Sequence, residues 1–218
     1  MVTVREPIVM LQNLGMIRKG HYVYADSSHG EFYVALSKGK TESAELPDEL
    51  VELCHAMARF SADGVEVVVS APSGGTAIGK CVAEYLSELL GRKIPFVLLE
   101  KTKDNLLAIR PEDVSRVERR SVLIVDDVLH HGTTVRRVLQ IVRGIRGTIA
   151  GVSVVWNRGD LTPSDLLVPF LYAPIKHKLV SYLPFGFPLP CPLCEEGVPI
   201  NTDLGHGKEF LARKSAAG

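Results

Sequence analysis

The chain has 218 residues, 46% of them hydrophobic and 23% charged, which is the make-up of an ordinary globular protein long enough to bury a substantial core. Its 25 basic and 25 acidic residues cancel to zero net charge, so a nucleic-acid partner gains no general electrostatic support. The opening residues lack the apolar stretch of a signal peptide, no apolar run reaches membrane-spanning length, and four cysteines do not make a disulfide scaffold. The expected setting is the cytoplasm, with no membrane and no nucleic acid as partner.

Residues 5–15 carry helical spacing, and 20–36 read as two short strands around a turn at Asp26-Ser27-Ser28-His29-Gly30. Pro47 falls in the first turn of a helix running to about Ala62. From there strands and helices alternate: strand 65–69, helix 75–90, strand 95–99, strand 121–126, helix 133–145, strand 148–156. That alternation predicts an α/β fold with a central parallel sheet flanked by helices and joined by right-handed crossovers. Ligands on such sheets bind beyond the carboxyl ends of the strands, so loops 70–75 and 126–134 are expected on one rim. The charged segment 101–120 is long enough for a mobile hairpin or lid, and 184–199 is proline-rich and irregular.

The most explicit chemistry lies at Val122-Leu123-Ile124-Val125-Asp126-Asp127-Val128-Leu129-His130-His131-Gly132-Thr133-Thr134. A strand apolar on both faces leads into two carboxylates, then a small-residue loop that opens an amphipathic helix. Carboxylates accept hydrogen bonds from sugar hydroxyls. A helix N-terminus offers unpaired N–H groups and a positive dipole end to a phosphate. A site for a phosphorylated sugar follows. A competing motif is Gly74-Gly75-Thr76-Ala77-Ile78-Gly79-Lys80, nearly the phosphate loop of nucleotide hydrolases. Cys81 takes the place of the hydroxyl that would ligate Mg²⁺, and a thiol is a poor ligand for a hard cation. A hydrolase also leaves Gly132-Thr133-Thr134 without a role.

The segment 122–134 resembles the 5-phosphoribosyl-1-pyrophosphate (PRPP) motif of type I phosphoribosyltransferases. The resemblance implies that Asp126 and Asp127 hold the ribose hydroxyls, and that Leu129, His130, His131, Gly132, Thr133 and Thr134 hold the 5′-phosphate. The motif departs from its usual form at His130 and His131, where smaller residues are common. Ala71-Pro72-Ser73-Gly74-Gly75 is similar to the pyrophosphate loop of orotate phosphoribosyltransferases. Gly20-His21-Tyr22 with His29 and Tyr33 resembles their hood, and Trp156-Asn157-Arg158 stands where they contact the base. Phe96 to Lys101 resembles the strand that enters their catalytic loop, and Cys191-Pro192-Leu193-Cys194 the ending of some members.

What the resemblance implies is a single domain over 1–218: an N-terminal helix and hood in 1–62, an α/β core in 63–160, and C-terminal strands, Cys-Pro-Leu-Cys segment and tail in 161–218. It further implies transfer of a phosphoribosyl group from PRPP to a nucleobase, with Mg²⁺ accompanying PRPP. Orotate leads, and a purine or another base, or a silent PRPP-binding regulator, are the alternatives. Lys101 and Lys103, with Arg110 behind them, are candidates for meeting the departing pyrophosphate, beside Asp127 as a catalytic residue. Ser27, His29, Tyr33 and Arg158 are candidates for the base. Asp26, where the hood turn is altered, would repel an anionic base unless paired. Members of the family close the loop over a neighbouring subunit, which implies a homodimer with 101–120 as lid. Cys191 and Cys194 have zinc-knuckle spacing, and His206 lies twelve residues past Cys194. With no second ligand pair in sequence, the thiols are expected to pack without metal.

Overall fold

The computed structural model describes residues 5–24, 26–36, 45–72, 74–104, 106–183 and 190–216. In chain order the elements are α1 (Arg5–Asn13), β1 (Ile17–Val23), β2 (His29–Val34), α2 (Asp48–Ser61), β3 (Val67–Ser70), α3 (Gly74–Leu90), β4 (Phe96–Leu98), β5 (Glu100–Lys101) and β6 (Leu107–Ala108). They continue with α4 (Val114–Val117), β7 (Ser121–Leu129), α5 (Thr133–Gly144), β8 (Thr148–Asn157), α6 (Pro163–Leu166), β9 (Leu171–Tyr172), α7 (Pro192–Glu195) and α8 (Gly207–Ala216). Two compact units share the chain: Leu36–Lys178 in one, Arg5–Ala35 and Leu179–Gly218 in the other. The helix expected to begin around Pro47 therefore belongs with the α/β core, not with the hood. No helix of the described residues is long and apolar enough to cross a membrane.

The first unit is the expected parallel sheet. Its strand order is β4-β3-β7-β8-β9, and every neighbouring pair is parallel. Side chains alternate across a strand, and here both sets are buried. Val67, Val69, Val122, Ile124, Val152 and Val154 form one cluster with Val135, Val138, Leu139 and Val142 of α5. The intervening Val68, Leu123 and Val125 are fully buried as well, with α3 packed on β3 and β7 and α2 on β8. A sheet covered on both faces explains why its strands read as unbroken apolar runs. β7 runs three residues past its expected end, because Val128 and Leu129 still pair with Trp156 and Asn157 of β8. Asp126 and Asp127 thus sit inside a strand. The two-residue β9 carries no sequence signature.

The second unit pairs β1 and β2 as an antiparallel hairpin with a bulge between Lys19 and Tyr22. Its C-terminal part lies along that hairpin. His21 bridges to Ile200, and His29 bridges to Tyr182.

Candidate active site

β7 delivers its acids by leaving the apolar interior of the sheet one residue at a time. Asp126 pairs with Val154 of β8 and is only 8% exposed; Asp127 is half-buried. Asp126 Oδ1 accepts the Asp127 N–H at 3.0 Å, and Asp127 Oδ1 accepts the Val128 N–H at 2.8 Å. Burial, then the Asp127 charge, pushes Asp126 well above the ordinary carboxylate range. Burial also raises Asp127, against the opposing pull of the Val128 N–H. An ionised carboxylate has about four acceptor directions. Beside these main-chain N–H groups and the hydrogen bond between the two carboxyl groups, acceptor directions remain for hydroxyls or a cation.

The start of α3 is built against this pair. Gly74 and Gly75 are its first two residues. A methyl group at Gly74 would overlap the Asp127 carboxylate, and one at Gly75 would stand 3.1 Å from Asp126 Oδ1 and 3.2 Å from the Val125 carbonyl. At Gly79 it would overlap the Ser70 hydroxyl. Only glycines let the helix approach so closely. Ala71 is buried and Pro72 partly so, while Ser73 lies outside the described residues. The same geometry removes the nucleotide-hydrolase alternative. Residues 74–80 are helix rather than a wrapping loop, and Lys80 forms an ion pair with Glu84 at 3.8 Å from within it.

The loop between β7 and α5 is residues 130–132, since Leu129 is a buried strand residue. Gly132 adopts φ +74° as N-cap of α5 and supplies no side-chain cap. The first-turn N–H groups have no partner within a helix, and no acidic side chain stands in that turn. Thr133 and Thr134 are exposed there. A helix start of this kind can receive an anion. The His130 and His131 rings lie against each other at 3.7 Å.

Braces that the sequence did not announce hold the loop. Arg136 donates to the His131 carbonyl and, at 3.2 Å, to the Asp165 carbonyl. The Leu129 carbonyl accepts from the Arg158 N–H at 2.9 Å and the Gly159 N–H at 3.1 Å. A methyl group at Gly159 would overlap the His130 carbonyl. Asn157 fastens the turn, donating to the Leu161 carbonyl at 2.7 Å and accepting its N–H at 3.2 Å. Arg158, a candidate for the base, is 4% exposed beside these contacts.

The 101–120 segment begins as a hairpin, as expected, with Glu100 opposite Ala108 and Lys101 opposite Leu107. Lys101 and Lys103 are exposed. Arg110 is not a spare cation for the site. It donates to Asp113, a 2%-exposed acid that Arg116 also binds, at 3.0 and 3.1 Å.

In the second unit, Ser27 is half-buried in the turn at φ +66°, and Tyr33 packs its ring 5.4 Å from Tyr22. Asp26 is fastened within the turn: Oδ1 accepts the Ser28 N–H at 3.0 Å and the Ser28 hydroxyl at 2.7 Å. His29 requires correction as a base contact. Its ring is fully buried, 2.9 Å from His21 Nε2 and 3.3 Å from Cys194 Sγ. The Cys191 and Cys194 thiols accordingly do not stand apart from other ligands. Their neighbours come from residues about 170 positions away, at a spacing that matches no metal motif, which is why the sequence hid them. His206, the nearer candidate in sequence, uses its main-chain N–H on the Val23 carbonyl.

A family model described as "Phosphoribosyl transferase domain" matches residues 48–167, over half of the chain. Orotate phosphoribosyltransferases of Chlorobium phaeobacteroides and Caldanaerobacter subterraneus are each 29% identical, over 194 and 196 residues, covering 88% of this chain and 91% and 92% of theirs. Among solved structures, the orotate phosphoribosyltransferase of Aeropyrum pernix has a TM-score of 0.53 at 16% identity, covering 78% of this chain and 92% of that one. A Mycobacterium tuberculosis orotate phosphoribosyltransferase has a TM-score of 0.57 at 15% identity, covering 80% and 97%. With this family model spanning the acid pair, the glycine-started helix and the uncapped loop before α5, the chain belongs to the phosphoribosyltransferase family.

Proposed function

We propose that this protein transfers the phosphoribosyl group of PRPP to a ring nitrogen of orotate, releasing pyrophosphate. The observation that carries the reading is the Asp126–Asp127 pair, packed against the glycine start of α3 and followed at the end of β7 by the loop that opens α5. Names carried by relatives of nearly the same length support orotate as the base.

Asp126 and Asp127 accept hydrogen bonds from the ribose hydroxyls, and the amides of 130–134 with the Thr133 and Thr134 hydroxyls bind the 5′-phosphate. Ala71, Pro72, Gly74 and Gly75 contact the pyrophosphate. Both acids are hard oxygen donors, and burial of their like charges fits a hard divalent cation. Mg²⁺ arriving with PRPP would lie nearest Asp126 and Asp127 and would offset phosphate charge. Cleavage of the glycosidic bond puts positive charge on the sugar and negative charge on the leaving group, so catalysis rests on placement and charge stabilisation. Lys101 and Lys103 supply the cation for the leaving group. Arg158 supplies one for the orotate carboxylate. The β5–β6 hairpin closes as a lid that keeps water out, in a homodimer working in the cytoplasm, where four free cysteines are at home.

The test is incubation of the protein with PRPP, Mg²⁺ and one base at a time, with pyrophosphate and nucleotide both measured. Orotate is expected to yield orotidine 5′-monophosphate, and Asp126→Asn to abolish it. Product from adenine or uracil alone would replace the substrate. PRPP binding without turnover on every base would make the protein a regulator. Sedimentation analysis checks the dimer.

A further inference from the structure

The second unit gathers four metal-binding side chains that the proposed reaction does not use. His21 on β1, His29 at the start of β2, and Cys191 and Cys194 at the start of α7 each contribute one ligand atom, all within 4.8 Å of one another. His21 Nε2 lies 2.9 Å from His29 Nδ1, 3.6 Å from Cys191 Sγ and 3.7 Å from Cys194 Sγ, and Cys194 Sγ lies 3.3 Å from His29 Nδ1. A tetrahedron with Zn–N bonds of about 2.0–2.1 Å and Zn–S bonds of about 2.3 Å has edges of roughly 3.3–3.8 Å. Three of the four measured separations fall in that range, and the fourth falls slightly short.

The surroundings hold the donors in place. His21 Nδ1 lies 2.7 Å from the Val198 carbonyl, which puts the proton on Nδ1 and turns the Nε2 lone pair to the cluster. The His29 main chain is paired in both directions with Tyr182, at 2.7 and 2.8 Å. Cys191 N-caps the turn that carries Cys194, whose N–H donates to the Cys191 carbonyl at 3.1 Å. Gly197, at φ +70°, turns the chain back so that Val198 reaches His21. His21, His29 and Cys191 are 2%, 0% and 0% exposed. Among the described residues His29 Nε2 is buried with no nitrogen or oxygen partner, in a ring that meets Phe210 edge to face. If Nδ1 only donated to His21, Nε2 would be left as an orphaned acceptor. With Nδ1 on a cation, Nε2 carries the proton beside an aromatic ring, a milder outcome.

We propose that His21, His29, Cys191 and Cys194 bind one zinc ion in a closed structural site that fastens the C-terminal segment to the β1–β2 hairpin. Two imidazoles and two thiols in tetrahedral array select zinc over the hard cations. Binding releases two thiol protons, and two thiolates balance the 2+ charge, so the centre is neutral, with three ligands buried and Cys194 on its exposed side. All four positions belong to the protein, which leaves none open for water and sets the site apart from catalysis.

The full chain, purified under reducing conditions without chelator, is assayed for zinc by atomic emission and then loaded with Co²⁺. The expected result is one zinc per chain, and for the cobalt form the visible bands of a tetrahedral centre with a near-ultraviolet thiolate charge-transfer band. Cys194→Ser loses the band and the metal, while Cys81→Ser keeps both. Chelation lowers the Tm of the parent protein and leaves that of Cys194→Ser unchanged. If Cys194→Ser does not fold, the Co²⁺ titration of the unaltered chain decides alone. The assignment is overturned by a zinc-free chain whose Tm ignores added Zn²⁺ and Co²⁺, by a cobalt spectrum lacking the charge-transfer band, or by a Cys191–Cys194 disulfide that persists after reduction and zinc addition. None of these readouts depends on transferase activity.

Discussion

Gly74 lies directly against the Asp127 carboxylate, so closely that a Cβ on Gly74 would occupy the space of both carboxylate oxygens. Gly74→Ala is therefore expected to fold and to fail. The methyl group must push Asp127 off its position, and a displacement of about 1 Å in a reacting constellation costs roughly 10²-fold in rate. Steady-state kcat/KM for PRPP is the measurement. Gly144→Ala, where nothing lies within 4 Å of an added Cβ, serves as the control: it leaves kcat/KM alone and raises stability by about 0.5 kcal/mol. Equal activity in the two variants would mean that Asp127 does not need its present position.

Asp126→Asn should stabilise the unliganded protein while removing activity. The acid is buried beside Asp127 and its folded pKa is raised from 3.8. Between 3.8 and that raised value the folded state holds more protons than the unfolded one, so this group's contribution to stability falls as pH rises through the window. Denaturant unfolding of variant and parent at several pH values tests the sign. The curves should meet near pH 3.8 and separate upward, with asparagine the more stable at neutral pH. A parent that is more stable than the variant at pH 7 would contradict this account.

Gly159 and His130 couple the turn after β8 to the loop that opens α5. Gly159→Ala would force its methyl into the His130 carbonyl, so the expected change is a rise in KM for PRPP of roughly tenfold to a hundredfold. Isothermal titration with PRPP and Mg²⁺ separates this from a loss of chemistry. An unchanged Kd would show that the loop tolerates the shift.

Lys103→Ala should lower kcat by about 10²-fold or more, the usual effect of losing one preorganised charge at a transition state. Lys103 lies beyond the paired residues of the β5–β6 hairpin, whereas Lys101 is held opposite Leu107. Lys101→Ala is therefore expected to have the smaller effect. Single-turnover rates for both variants measure it, and an undiminished rate in each would move the leaving-group cation elsewhere.

Much of the core was legible because its physics is local. The run Val122 to Val125 has no polar alternation, and that pattern demands cover on both faces, which α3 and α5 provide. Gly74-Gly75 and Gly132-Thr133-Thr134 announce close approaches and helix starts by composition alone. What stayed hidden depends on partners distant in sequence. β7 runs on past the acids only because β8 is long enough to pair with it. Arg110 looks available until Asp113 is seen folded back against it. His29 reads as a base contact until Tyr182 and Cys194, more than 150 residues later, turn it inward. Gly159 is one of 19 glycines, and nothing nearby reveals that the His130 carbonyl lies where its side chain would be.

Joining residues 5–35 to residues 179–218 in one unit has a consequence for synthesis. The β1–β2 hairpin leaves the ribosome long before Tyr182, Val198 and Ile200 exist to pair with it. At roughly 5–20 residues per second, the delay is on the order of 7–30 s. Throughout that interval the nascent hairpin presents unpaired strand edges, and translation speed becomes a determinant of how much polypeptide escapes aggregation.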